Sequence, residues 1–159
     1  MIDDIDAEIL NILQNDARTS NADIARQVGM APSAVLERIR KLEARGVIEG
    51  YQARINPEAL DLGLLAFIFV RSEERLGAPE TGAMLAEMPE VQEVHRIAGE
   101  DCYLVKVRAA DTAALGRLLR ERLGAIPHIR STRTTIVLDS LKESAMLPLP
   151  GEESEPSDD

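Results

Sequence analysis

The chain is short of aromatic residues, with no tryptophan, two phenylalanines and two tyrosines among 159 residues. Its cores must therefore be built from aliphatic side chains, which the 45% apolar content can supply. A single cysteine, Cys102, excludes an intrachain disulfide and fits a reducing compartment. It reads as a small packing residue; a redox role would need a second copy's cysteine across an interface. The two histidines, His95 and His128, have no second His or Cys at ligand spacing, so no metal site is expected. The longest apolar run, residues 64–70, is far too short to span a bilayer as a helix and reads as a buried strand. The acidic start MIDDIDAEIL lacks the basic region of a secretory signal. A cytoplasmic protein without membrane partners is expected. Basic residues are also in deficit, 18 against 28 acidic ones, a net charge of -10. Spread evenly, that deficit would argue against nucleic acid.

It is not spread evenly. Residues 1–55 carry a net -2, residues 56–138 another -2, and residues 139–159 carry -6. The body is nearly neutral, so a local basic stripe can still face phosphate. The tail PLPGEESEPSDD has almost nothing to bury and is expected to be disordered. It is either inert or a competitor of DNA for a basic surface.

Before residue 56 the pattern is helical. Ile5, Ile9, Ile12 and Leu13 recur at the spacing of an amphipathic helix, with Asp3 and Asp4 at its start where carboxylates suit the helix dipole. A second helix opens at Ser20, with Asp23 three residues on as an approximate capping box, and ends before Gly29. A third begins at Pro32, buries Val35, Ile39 and Leu42, and stops at Gly46. At about 100° per residue, Ala34, Arg38, Lys41 and Arg45 share another face of that helix, flanked by Ser33 and Arg40. Two helices joined by a tight turn, the second one basic, form a helix-turn-helix that can enter a DNA groove. The alternative is a solvated helix face on which Glu37 and Glu43 partner the cations. Residues 47–55 have strand character, either a wing or a linker strand, and Asn56-Pro57 marks a boundary.

The second half reads strand 64–70, helix 79–88, strand 91–98, strand 103–108, helix from the Asp111 cap with Leu115, Leu118, Leu119 and Leu123 on one face, and strand 130–138. The order βαββαβ predicts a ferredoxin-like antiparallel sheet with two helices on one face. The expected fold class is α+β, a (winged) helix-turn-helix followed by that sheet. The expected domains are residues 1–60 for DNA binding with a linker strand, 61–142 for ligand binding and oligomerisation, and 143–159 as an acidic tail.

Segments in this order resemble the Lrp/AsnC (leucine-responsive/asparagine regulator, feast/famine) family of prokaryotic transcription factors. They are Asp6-Ala7-Glu8-Ile9-Leu10, Leu36-Glu37-Arg38-Ile39-Arg40-Lys41-Leu42-Glu43, Gly46-Val47-Ile48 with Gly50-Tyr51, Asn56-Pro57 and Thr132-Arg133-Thr134. The resemblance implies a regulator that binds double-stranded DNA. It also implies homodimers that pair through their C-terminal sheets and assemble into tetramers or octamers. The implied effector is a small molecule, an amino acid or related metabolite, with no other cofactor. It would lie at the loop Gly99, Glu100, Asp101, Cys102, Tyr103, with Thr134 nearby. Where the family commonly has an Asp-Tyr pair, this chain has Cys102-Tyr103, with Asp101 one position early. Ala31 replaces the serine often found before the recognition-helix proline.

Residues early in a recognition helix reach base edges, and later cations tend to meet phosphate. Ser33, Ala34 and Arg38 are thus assigned to bases, and Arg40, Lys41 and Arg45 to phosphate. Ser20 and Asn21, at a helix N-terminus, are assigned to phosphate as well. For Gly99 the plain reading is a turn glycine; the functional one is that its missing side chain admits an effector carboxylate, with Glu100 and Asp101 holding the ammonium end. Two other classes stay open. One is an architectural DNA-binding protein with no effector. The other is a tetrapyrrole decarboxylase of similar architecture, for which His95 and Arg96 are the only candidate pocket residues.

Overall fold

The computed structural model describes residues 2–73 and 80–150. The chain divides into two compact units, Met1–Arg54 together with the segment from Lys142 onward, and Ile55–Leu141.

The first unit is built from α1 (Asp4–Asn15), α2 (Asn21–Val28) and α3 (Pro32–Ala44). Local chemistry sets each boundary. Asp3 caps α1 by accepting from the Asp6 amide at 2.8 Å. Ser20 caps α2: its Oγ accepts from the Asp23 amide at 3.1 Å and donates to the Asp23 carboxylate at 2.5 Å. Gly29 ends α2 at φ 69°, a left-handed conformation that costs a glycine little. Pro32 opens α3 behind Ala31, which makes no side-chain cap. Ile9, Ile24, Ala25, Val35 and Ile39 form the core where the three helices meet.

Residues 47–55 form no strand and no wing hairpin. A strand needs a neighbouring strand for its backbone groups, and among the described residues this segment pairs with none; the Val47 and Ile48 amides instead donate to the Leu42 carbonyl at the end of α3, at 2.9 and 3.3 Å, and Tyr51 and Ile55 are exposed. Near the C-terminus, Leu147 is tied to α1 by two reciprocal bonds. Its amide donates to Gln14 Oε1 at 2.7 Å, and Gln14 Nε2 donates to its carbonyl at 3.0 Å. The remaining tail, residues 151–159, lies outside the described residues.

The second unit opens with a 3₁₀ turn (Pro57–Leu60) and runs β1 (Leu64–Ser72), α4 (Glu80–Ala86), β2 (Val91–Arg96), β3 (Tyr103–Ala109), α5 (Thr112–Arg117) and β4 (Ile129–Ile136). The sheet is antiparallel throughout, in the order β2-β3-β1-β4. This is the βαββαβ sheet expected from the sequence. The helix expected at 79–88 is the shorter α4, and its proposed first residue, Pro79, lies outside the described residues. Asp111 caps α5 by accepting from the Ala114 amide at 2.7 Å. The helix then widens into a π turn, Leu118–Arg122, and closes as a 3₁₀ turn, Leu123–Ala125. Leu115, Leu118 and Leu123 all stay buried through this change of pitch.

Strand alternation divides the sheet into two faces. Ala66, Ile68, Val70, Tyr103, Val105 and Val107 lie in one core with Leu85, Leu115 and Leu118 from the helical layer. The alternate residues Leu65, Phe67, Phe69 and Leu104 therefore stand on the face away from the helices. Both phenylalanines of the chain are on that face. On the helix side, Gly82 of α4 lies so close to Tyr103 that a Cβ there would be 2.9 Å from the ring. Only glycine allows this approach.

Candidate nucleic-acid interface and effector loop

The three turns of α3 sort its side chains by direction. Val35, Ile39 and Leu42 point inward and are 0–7% exposed. Ala34, Arg38, Lys41 and Arg45 line one open groove of about 280 Å³ with Asp6, Met30, Glu37 and Leu42. The periodic grouping of those four residues is thus a real surface. They do not act alike on it. Arg38 turns back to the start of α1, where its guanidinium donates to Asp3 Oδ2 at 2.8 Å and Asp6 Oδ1 at 2.7 Å. The Asp6 side chain is only 11% exposed and that of Arg38 29% exposed. The Asp6 amide and then the Arg38 guanidinium hold the Asp3 carboxyl below its ordinary range, and the two carboxylates raise Arg38 in turn. Arg38, assigned to base edges from its spacing, is thus engaged as a strut between α1 and α3.

Lys41 pairs with Glu37 one turn earlier at 2.8 Å, both side chains about two-thirds exposed. This is the i, i+4 partner that the solvated-face reading requires, and the lysine holds the Glu37 carboxyl below its ordinary range. Arg40 is exposed and makes no ion pair among the described residues. Arg45, at the C-terminal cap of α3, is exposed. Ser33 is exposed near the N-terminus of α3, and Ala34 beside it is half-buried. At the head of α2, the Ser20 hydroxyl is committed to Asp23 and Asn21 is half-buried.

In the sheet unit, the proposed effector residues fall into two sets. Gly99 adopts φ 133° and Glu100 is exposed in the β2–β3 loop. The Asp101 carboxylate is held by Arg133 of β4 at 2.9 Å, and the same guanidinium stacks 4.2 Å from the Phe69 ring centroid. Phe69 and Arg133 are register partners on the open face of the sheet. Tyr103 points the other way: it is 4% exposed in the core, and its hydroxyl accepts from Arg96 at 3.2 Å. Thr134 pairs with Ile68 and shares that helix-side face. Asp101 and Tyr103 are therefore not gathered into one pocket by a single chain. Cys102 between them is half-buried, with Sγ 3.4 Å from the Ser72 amide and from its carbonyl, a packing role.

His95 and Arg96 are neighbours on β2 and so face opposite sides of the sheet. His95 contacts Glu93 at 3.1 Å, and Arg96 contacts Tyr103. They do not form a shared pocket. Among the described residues no cluster of ligand side chains suits a metal ion, and no helix is long and apolar enough to cross a membrane.

The sequence matches two family descriptions, an AsnC-type helix-turn-helix domain over residues 2–43 and an Lrp/AsnC ligand binding domain over residues 65–147. It is 40% identical over 150 residues to the leucine-responsive regulatory protein of Salmonella typhimurium, covering 92% of this chain and 90% of that protein. Its fold superposes on a transcriptional regulator of Neisseria meningitidis solved with L-methionine, with a TM-score of 0.88 and 29% identity over 93% of this chain and 97% of that one. A feast or famine regulatory protein of M. tuberculosis, also complexed with L-methionine, gives a TM-score of 0.85 and 35% identity over 92% and 99%. The helix-turn-helix, the βαββαβ sheet and these matches along nearly the whole chain lead to one conclusion: the protein belongs to the Lrp/AsnC family of DNA-binding transcription regulators.

Proposed function

We propose that this protein is a cytoplasmic, homo-oligomeric regulator that binds specific double-stranded DNA through α3 and changes its DNA affinity or assembly when an amino acid binds. The observation that carries the reading is α3 itself: buried along Val35, Ile39 and Leu42, and presenting Ser33, Arg40, Lys41 and Arg45 outward. In a dimer, two such helices would enter successive major grooves of a pseudo-palindromic site. Arg40 reaches a base edge or a phosphate, while Lys41 and Arg45 meet phosphate. Ser20 and Asn21 approach the backbone at the start of α2. Arg38 supports the reader from behind.

Dimerisation is supported by the open sheet face. Phe67, Phe69 and Leu104 form a half-buried apolar centre there, with Lys106, Arg108 and Arg133 around it. An antiparallel sheet with one helix-covered face buries the other most readily against a second sheet. Such dimers can pair further into tetramers or octamers.

The amino-acid effector is inferred from the L-methionine held by the two regulators named above. Gly99, Glu100, Asp101, Tyr103 and Thr134 are proposed to contribute to the site. Asp101 is already neutralised by Arg133, so an incoming ammonium group must displace the arginine or share the carboxylate. A coupling of this kind links effector and DNA reciprocally.

The test is fluorescence anisotropy of the full-length protein on DNA from its own upstream region, against scrambled DNA at physiological salt, with and without each amino acid. A preference of at least ~10³-fold is expected for a specific regulator, together with a shift in affinity for one class of amino acid. Equal weak binding to both DNAs would favour the architectural alternative.

A further inference from the structure

The outward sector of α3 contains a residue of the wrong sign for phosphate. At about 100° per residue, Ser33, Glu37, Arg40 and Ala44 fall within roughly 60° of arc, directly opposite the buried Val35, Ile39 and Leu42. All four are exposed. Arg38, which lines the groove, has its guanidinium held at α1 by Asp3 and Asp6. The polar side chains that the outward sector offers to a base edge in the first two turns are Ser33 and Glu37, with Arg40 one turn beyond.

Building on the DNA-binding reading above, we propose that Glu37 is a specificity-determining residue whose carboxylate accepts a hydrogen bond from a base amino group in the major groove, cytosine N4 foremost. The Lys41 ammonium pairs with that carboxylate at 2.8 Å and favours its charged form. An ionised carboxylate only accepts hydrogen bonds. In the major groove the amino donors are cytosine N4 and adenine N6, whereas guanine and thymine offer acceptors there. Glu37 therefore attracts one kind of edge and repels the other. Its charge also opposes the phosphates, an opposition that Lys41 partly offsets. The expected signature is a reader that gives up some overall affinity for discrimination, which is how repulsive elements generate specificity.

The experiment is selection of sites from randomised double-stranded DNA by the full-length wild type, Glu37→Gln and Lys41→Gln, followed by anisotropy on the selected site and its single-base-pair variants. The wild type should favour cytosine at one position in each half-site. Glu37→Gln should lose that preference or move it to adenine, which a glutamine amide reads bidentately, a change of ~10-fold or more at that base pair. Its affinity for scrambled DNA should rise. Lys41→Gln should weaken binding to all sequences alike, with the salt slope reduced by about 1 and the preferred bases unmoved. If Glu37→Gln selects the wild-type site unchanged at every position, the assignment of Glu37 is overturned while the regulator reading stands. If the wild type itself selects no site, sequence-specific recognition falls and takes this assignment with it. The two failures are told apart by the wild-type selection alone.

Discussion

In the helix-turn-helix unit, the chemistry lies on one helix whose every turn is anchored. Val35, Ile39 and Leu42 fix its inner face, and Arg38 ties its side to α1. In the sheet unit, the candidate effector residues are distributed. Asp101 is engaged by Arg133 on the open face, while Tyr103 and Thr134 stand on the helix side. A DNA reader can be completed within one chain, because DNA supplies the second surface. A ligand site needs several groups to converge, and here one chain does not bring them together. On the reading proposed above, the sheet unit would take its missing wall from another copy.

The largest effect that would test this contrast is on DNA. Replacing both Arg40 and Lys41 by alanine removes two outward cations while leaving the α3 core and the Arg38 strut intact. Affinity for the operator should fall by about 10²-fold or more, since each interaction with a base or phosphate is worth roughly 1–3 kcal/mol. The oligomeric state should not change. Anisotropy together with sedimentation reads both; an unaltered operator affinity would move the interface off α3.

The complementary substitution acts on the other unit. Phe69→Asp places a charge in the apolar centre of the open sheet face, beside Leu104 and beneath Arg133. A buried aromatic anchor at an interface is worth ~2 kcal/mol or more, so the dimer dissociation constant should rise by at least about 30-fold. DNA binding should then weaken because the two half-sites are no longer bridged. Analytical ultracentrifugation across a dilution series measures it. A dimer indifferent to Phe69→Asp would require a different interface.

How far the sequence reveals this architecture depends on whether the cause is local. The Ser20 cap, the left-handed Gly29, the Pro32 start and the Asp111 cap each act within four residues, and each is legible. The alternation in β3 and the leucine face of α5 are also legible, although the π turn after Arg117 is not. The strut is not. Arg38 meets Asp3 and Asp6 across 35 and 32 positions, and periodicity reports which side a residue faces but not what comes to meet it. The pairing of Asp101 with Arg133, 32 positions apart, is hidden for the same reason. The expected strand at residues 47–55 fails differently: its composition favours a strand, but composition does not provide a partner.

The strut makes a prediction of moderate size. The Asp3 carboxyl is depressed in the folded protein by the Asp6 amide and by Arg38. Its contribution to stability is therefore complete above its ordinary value of 3.8 and is lost only as pH falls through the lower folded value. From neutral pH down to about 4, helical thermal stability should owe nothing to Asp3 titration. Below that, wild type should lose stability more steeply than Asp3→Asn, which has no carboxyl to protonate there. Asp6→Ala, by leaving Arg38 partly buried without its inner partner, should cost more at neutral pH, about 1–3 kcal/mol. Circular-dichroism melts of the three proteins between pH 2 and 7 make the comparison. Parallel wild-type and Asp3→Asn curves below pH 4 would remove the strut as a stability element.

The smallest effect separates the tail from the unit to which it is attached. The family match ends at residue 147, and there the Leu147 backbone is held by Gln14 of α1. The next twelve residues carry five acidic side chains and no basic one. Their attachment point, Leu147, thus belongs to the helical unit, and a tail of that charge is expected to oppose phosphate. Deleting residues 148–159 should raise DNA affinity, by roughly 2- to 5-fold at about 50 mM salt and by little at about 300 mM, because screening shortens the reach of the tail's charge. Gln14→Ala in the full-length protein should reproduce part of that gain if the anchor matters, and none if the charge acts independently of it. Equal affinities of the deletion and the wild type at low salt would leave the tail without an electrostatic role.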